Sequence, residues 1–264
     1  MTESNLIKET AGPTCCTVVG GRILHYSVLP STNRTAIKMA RERAPEGLVV
    51  LADRQTEGRG RLGRDWYSPQ GDGLYFSILF RPRCHEERFA LLSLVMGVGV
   101  ANGLEMLGIK NVGIKWPNDI QIAGRKVAGI LVESQKVDGA MFAAAGVGIN
   151  VSNREFPPEI AERATSIELA TGTSHTNEEI LGLLLGEIER FYSDVCLGRD
   201  NELLSQLRRL DVLDGKEVTV KAGKTIVGTA SGIDAMGALI LRTADGTEKK
   251  ITSGEVELVR ASKP

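Results

Sequence analysis

Three arginines and three glycines interleave in Gly58-Arg59-Gly60-Arg61-Leu62-Gly63-Arg64. Each guanidinium carries a fixed charge and a planar fork of donors suited to carboxylate or phosphate oxygens. The glycines keep the backbone nearly bare, so it can approach a ligand closely and take positive φ. Such a segment suits closure over an anion. Its bland alternative is an exposed loop with solvated arginines, against which the density of arginine and glycine and the flanking Gln55 and Trp66 weigh. Gly58, Gly60 and Gly63 also satisfy G-x-G-x-x-G after a strand. A dinucleotide fold then needs a helix, and Asp65 to Gly73 (Asp-Trp-Tyr-Ser-Pro-Gln-Gly-Asp-Gly) does not supply one. No G-x-x-x-x-G-K-[ST] occurs, which excludes a P-loop.

Three more groupings carry chemistry. In Lys115-Trp116-Pro117-Asn118-Asp119, the lysine could hold a phosphate and Asp119 could orient a metal or an incoming amine. The same residues also suit a proline turn in which Asn118 and Asp119 hydrogen-bond their own backbone. Lys126 opens the apolar run Val127 to Val132 that ends at Glu133; its ammonium either enters a pocket or snorkels to solvent. Glu133 is its partner or merely exposed. Gly146-Val147-Gly148-Ile149-Asn150 sets two glycines in a strand pattern, the mark of a closely approaching ligand or backbone, or of a bulge.

The elements that must position these groups follow from periodicity and breakers. Residues 1–21 read as a loose leader. Strands are expected at 22–28, 48–52, 73–80, 112–115, 120–122, 126–133 and 141–149. Helices are expected at 35–43, 86–107, 177–197 and 202–210, with Pro30-Ser31-Thr32-Asn33 as a capping turn and Thr176 with Glu179 as a capping box. From Leu213 the residues turn β-branched or glycine. Five short strands are expected there, at 216–221, 225–233, 238–242, 249–252 and 256–260, with Asp245-Gly246 as a hairpin turn.

Composition bounds the function. With 264 residues and 42% hydrophobic content the chain can bury a large core. Lys+Arg 32 against Asp+Glu 33 leaves a formal charge of -1, so no global electrostatic grip on nucleic acid is expected. The apolar stretch Phe89 to Met106 is broken by Ser93, Gly97, Gly99, Asn102, Gly103 and Glu105, and the polar N-terminus lacks a signal pattern. A cytoplasmic protein without a membrane span is expected. Cys15, Cys16, Cys84 and Cys196 form no C-x-x-C pair, and His85 beside Cys84 completes no site. Reduced thiols are expected, and no protein metal site is assigned.

The order of these signals is specific. Ser31-Thr32-Asn33, Gln55, the glycine-arginine loop, Lys115 to Asp119, Arg125 to Glu133 and Gly146 to Asn150 resemble biotin–protein ligases, and the likeness extends through Gly232-Ile233-Asp234 and Gly237-Ala238-Leu239. The resemblance implies a mixed-sheet α/β (α+β) catalytic domain at 22–212 and a small SH3-like β-barrel at 213–264. It implies ATP, biotin and Mg2+, the intermediate biotinyl-5′-AMP, and transfer to a lysine of a biotin carboxyl carrier domain, with a homodimer as an open possibility. By the same resemblance Ser31, Thr32, Asn33, Gln55, Gly58, Arg59, Gly60, Arg61, Lys126, Gly129, Leu131 and Gly146 line the biotin site. Arg61, Arg64, Trp66, Lys115, Asn118, Lys126, Gly148 and Asn150 face ATP. Lys126, Arg61 and Asp119 carry the catalysis.

Two departures bear on this. About 20 residues precede the first expected strand, too few for the DNA-binding unit of some relatives, so no DNA binding is expected. Ser231 stands where some relatives place a phosphate-reaching arginine. The rivals are a lipoate–protein ligase or octanoyltransferase of the same fold, whose arginine-glycine-histidine signature is absent, and a non-catalytic biotin-binding regulator.

Overall fold

A computed structural model describes residues 5–13, 16–81, 86–137 and 139–259. Cys15, Cys84, His85 and Arg260 lie outside the described residues, as do residues 1–4 of the expected leader. Eight strands, β1 (Leu6–Thr10), β2 (Ile23–Leu29), β3 (Val49–Gln55), β4 (Gly73–Phe80), β5 (Val112–Lys115), β6 (Asp119–Ile122), β7 (Arg125–Val137) and β8 (Ala140–Asn150), form one mixed sheet. Their order is β1-β2-β3-β4-β8-β7-β6-β5. Only β2 and β3 run parallel; the other neighbours are antiparallel.

Strand β1 corrects the expected loose leader. Its five residues are all exposed, so no burial period marks it in the sequence. Backbone pairing with β2 holds it at the sheet edge. Further along, the Glu189 carboxylate accepts from the amides of Thr17, Val18 and Val19, and Val19 is fully buried.

One face of the sheet is covered by α1 (Thr32–Arg41), whose buried Ala36 and Ala40 meet Val50, Ala52 and Leu79. This helix starts three residues before the sequence expectation, because the Ser31 hydroxyl caps it by accepting from the Arg34 amide. Thr32 and Asn33 therefore stand in the first helical turn, facing the sheet. The other face carries the main core with α2 (Leu92–Met106). Two short helices, α3 (Pro158–Ala161) and α4 (Ile167–Thr171), precede α5 (Asn177–Cys196) and α6 (Asn201–Leu210). Helices α2 and α5 pack closely: a Cβ at Gly99 would lie 2.9 Å from Ile188 Cα. The segment Arg88–Met106 is apolar and long enough to cross a membrane, but it is 72% buried within the protein, as a core helix is.

The tail forms a second, antiparallel sheet from β9 (Glu217–Ala222), β10 (Lys224–Ile233), β11 (Leu239–Arg242), β12 (Glu248–Ile251) and β13 (Glu255–Leu258), in the order β12-β11-β10-β9-β13. All five strands match the expected ones. Val218, Val220, Leu239, Leu241 and Val256 bury their side chains in continuity with the main core.

Candidate active site

The site lies on the α1 face of the large sheet. Gly129 and Leu131 of β7 point that way, and Ala128 and Ile130 point into the core. Strict alternation would send Lys126 into the core with Ala128. A bulge prevents this: Ile120 and Gln121 of β6 face Ala128 and Lys126 of β7, which leaves Val127 as an extra residue. Val127 and Ala128 are both fully buried in the core, so Lys126 emerges on the same face as Gly129. There its Nζ lies 2.6 Å from Asp119 Oδ1 and 5.2 Å from the centroid of the Trp66 ring.

The glycine-arginine loop folds back on itself above this point. Gly60 N donates to Arg64 O at 2.7 Å and Trp66 N to Gly58 O at 2.9 Å. Leu62 and Gly63 take left-handed φ at the tip, where glycine is at ease and leucine is strained. The three arginines diverge. Arg59 approaches Glu133 of β7 at 3.8 Å. Arg61 turns inward and donates to Asn118 Oδ1 at 3.3 Å. Arg64 pairs with Glu255 of the tail sheet. Burial pulls the Arg61 guanidinium below its ordinary value, with the Asp119 charge opposing. The Glu255 carboxyl is held below its usual range by the Arg64 hydrogen bond.

Beneath the loop runs a hydroxyl–amide network. Gln55 Oε1 accepts from Thr32 N at 2.9 Å, and Gln55 Nε2 donates to Ser68 Oγ at 3.1 Å. Ser77 Oγ lies 2.8 Å from Thr32 Oγ1 and 2.7 Å from Asn33 Oδ1. Asn33 Nδ2 donates to Leu131 O and to Glu133. Asn33 is thus almost buried and fully engaged, a framework side chain under the pocket.

The glycines mark close approach. The Trp66 indole rests on Gly129 and Gly148, where added Cβ atoms would lie 2.9 and 2.3 Å from the ring. At Gly146 a Cβ would lie 2.5 Å from Asn33 Oδ1, and at Gly58 2.5 Å from Trp66 O. Trp66 Nε1 is buried without a hydrogen-bond partner. A groove of about 790 Å3 follows the outer side of the loop, lined by Gln55, Gly58, Arg59, Trp66 and Ser68 among others; Lys126 and Asp119 lie outside its lining.

The structure therefore brings together Ser31, Thr32, Asn33, Gln55, Arg61, Trp66, Asn118, Asp119, Lys126, Gly129 and Gly146. Lys115 faces Asp119 across the β5–β6 hairpin and lies near enough to Glu255 to lower its pKa. Asn150 is buried and donates its amide to Thr165 O at 3.0 Å, so its side chain is spent on the 165 segment. Sequence reasoning missed Ser68, Ser77 and Glu255. Ser77 had a signal, the one small polar side chain in a strand otherwise aliphatic and aromatic, β4; Glu255 had none. Among the described residues no three His, Cys, Asp or Glu side chains cluster to hold a metal.

Comparison with known proteins is consistent along the chain. Residues 25–150 match the biotin/lipoate A/B protein ligase family model and residues 215–259 the biotin protein ligase C terminal domain. The bifunctional ligase/repressor BirA of Bacillus subtilis is 37% identical over 246 residues, covering 91% of this chain and 75% of that protein. The biotin--[acetyl-CoA-carboxylase] ligase of Paracoccus denitrificans is 33% identical over 229 residues, covering 83% and 93%. A biotin protein ligase from Aquifex aeolicus, solved with biotin and ATP, superimposes with a TM-score of 0.79 at 33% identity, covering 90% and 99%.

Proposed function

The chain belongs to the biotin protein ligase family, and from that premise we propose how its own residues divide the work. The protein is an ATP-dependent ligase. It joins the biotin carboxylate to the α-phosphate of ATP, forming biotinyl-5′-AMP as the bond to the β-phosphate breaks and pyrophosphate leaves. It then passes biotin to a lysine amine of a carrier domain and releases AMP.

In our reading Thr32, Gln55 and Ser31 form the polar end of the biotin pocket, beside the sheet surface where Gly129 and Gly146 let Trp66 and Asn33 lie close. Bringing a carboxylate onto a phosphate requires fixed cations, since two anions must approach and charge develops on the α-phosphate oxygens and the departing pyrophosphate. Lys126 and Arg61 supply them, and their convergence with Asp119 and Asn118 in one site is the observation that carries the assignment. Arg64, Lys115, Asn118 and Gly148 face the nucleotide, with Trp66 against it. Asn150 shapes that wall through Thr165. Mg2+ enters with ATP, bound mainly by phosphate oxygens and water. In the second step Asp119 receives the proton of the attacking amine as the carbon–nitrogen bond forms and AMP departs. Arg59 and Gly60 close the loop over biotin and exclude water from the anhydride. Residues 22–212, together with strand β1 at the sheet edge, act as the catalytic domain and 213–264 as the C-terminal domain. The carrier protein is the macromolecular partner, the cytoplasm the place of action and a homodimer a permitted assembly.

The test mixes the protein with ATP, an isolated carrier domain and labelled biotin or labelled lipoate. ATP-dependent labelling by biotin is expected. Labelling by lipoate in preference to biotin would move the chain to the lipoate branch, and biotin binding without AMP release would make it a regulator.

A further inference from the structure

The Gly232-Ile233-Asp234 and Gly237-Ala238-Leu239 segments of the tail have no place in the chemistry above, yet they form a tightly specified turn. Asp234 N donates to Ala238 O at 2.9 Å, and Gly237 N to Asp234 O at 3.0 Å. The Asp234 carboxylate accepts from the amides of Met236 and Ala238 and pairs with Lys250 Nζ at 2.9 Å. Gly237 takes φ 86° and sits against α2: a Cβ there would lie 2.8 Å from Leu94 Cδ1. The left-handed φ favours glycine here, and a Cβ would press on the Leu94 side chain.

This turn reaches the active site from behind. The Gly237 carbonyl accepts from Trp116 Nε1 at 2.9 Å, and Trp116 is 2% exposed. A buried indole N–H needs a partner, and the tail sheet supplies it. Trp116 lies in the three-residue tip of the β5–β6 hairpin, between the paired Lys115 and Asp119. Two residues on, Asn118 holds Arg61 through its Oδ1 and exchanges two hydrogen bonds with Ile130. The next residue, Asp119, holds Lys126. Fixing Trp116 therefore fixes the origin from which Asn118 and Asp119 project.

We propose that Asp234 is a positioning residue for the ligase reaction, acting through the Gly237 carbonyl on Trp116 and hence on the hairpin tip that aims Asn118 and Asp119. The tail sheet then tunes chemistry it never touches. The inference rests on the roles given above to Asn118 and Asp119.

The test compares Trp116→Phe, which keeps the aromatic packing and removes the donor, with Asp234→Ala and the double variant. Biotin-binding stoichiometry counts the folded sites. Adenylate formation and transfer are followed in single turnovers, per biotin site. Small displacements of a reacting group cost on the order of ten- to a hundredfold in rate, and a fall of that size with unchanged biotin affinity is expected in each single variant. The double variant should be no slower than the slower single one, because both act along one chain of contacts. Parental rates per site in soluble Trp116→Phe would overturn the proposal, and so would additive losses in the double variant or a matching loss of biotin affinity. Parental rates per site in soluble Asp234→Ala would likewise overturn it; should that variant not fold, Asp234→Asn, which keeps the size, takes its place. Asp119→Asn serves as control: parental transfer by that variant would sink the assignment of Asp119, a result distinct from an inert Trp116→Phe.

Discussion

Lys126 Nζ and Asp119 Oδ1 stand 2.6 Å apart, on neighbouring strands whose bulge alone brings them to one face. Each side chain is about a quarter to a third exposed (31% and 25%). The pair's opposite charges hold each other in place, and in the proposed mechanism the ammonium meets the biotin carboxylate or the α-phosphate. A ligand anion that draws Lys126 away from Asp119 leaves the carboxylate free to take a proton. In the proposed mechanism one ion pair thereby links the two half-reactions.

Lys126→Ala is expected to slow adenylate formation on the order of 10²–10³-fold, the usual loss when one preorganised charge facing a transition state is removed. The fold should survive, because the lysine sits at the wet end of its strand and the freed Asp119 can hydrate. Stopped-time assays of biotinyl-5′-AMP, with circular dichroism as the fold control, check this. Adenylate formation at the parental rate would remove Lys126 from the mechanism.

Gly148→Ala probes the stacking of the indole on the sheet. The new Cβ would lie 2.3 Å from Trp66 Nε1 and 2.5 Å from Cε2. An indole cannot bend at those atoms, so the whole ring must shift, and Lys126 above it loses its neighbour. Weaker ATP binding is expected, with a change in tryptophan fluorescence. Titrations with ATP and with biotin separate the effects; unchanged ATP affinity and an unshifted spectrum would show that the indole does not shape the nucleotide wall.

Much of this was legible in the sequence, and the exceptions have physical causes. The glycines of β8 announced close approach; the Trp66 indole lies against Gly148 and the Asn33 amide against Gly146. The three arginines of the loop stood out in the sequence as one group, but the structure sends them to three different partners, Glu133, Asn118 and Glu255. What the residues could not announce was partnership across long separations. Arg64 meets Glu255 and Trp116 meets Gly237 only because the tail sheet docks beside the hairpin. The facing of Lys126 depends on a bulge that no alternation pattern reveals. Strand β1 has no buried side, so its sequence carried no period at all. The start of α1 follows from Ser31, a good cap, but Thr32-Asn33 continues the polar run of the cap and carries no apolar period to mark the first turn.

Acid stability should depend on Glu189. Its carboxylate accepts from the Thr17 hydroxyl at 2.6 Å and from the amides of Thr17, Val18 and Val19, tying the segment before β2 to α5. Burial opposes the charge, yet these donors prevail and hold the carboxyl below its ordinary value. A depressed folded pKa means that the stabilisation is fully present above the unfolded value of 4.5 and is lost as pH falls through the folded value below it. Glu189→Gln keeps the size but turns an amide donor toward backbone donors. About 1–3 kcal/mol of stability should vanish at neutral pH, the cost of buried groups left unmatched. Below pH 4.5 the gap between variant and parent should narrow, because protonation costs the parent the same charge. Thermal melts across the acid range measure this, and a gap that stays constant with pH would show that the Glu189 charge contributes nothing to holding that segment.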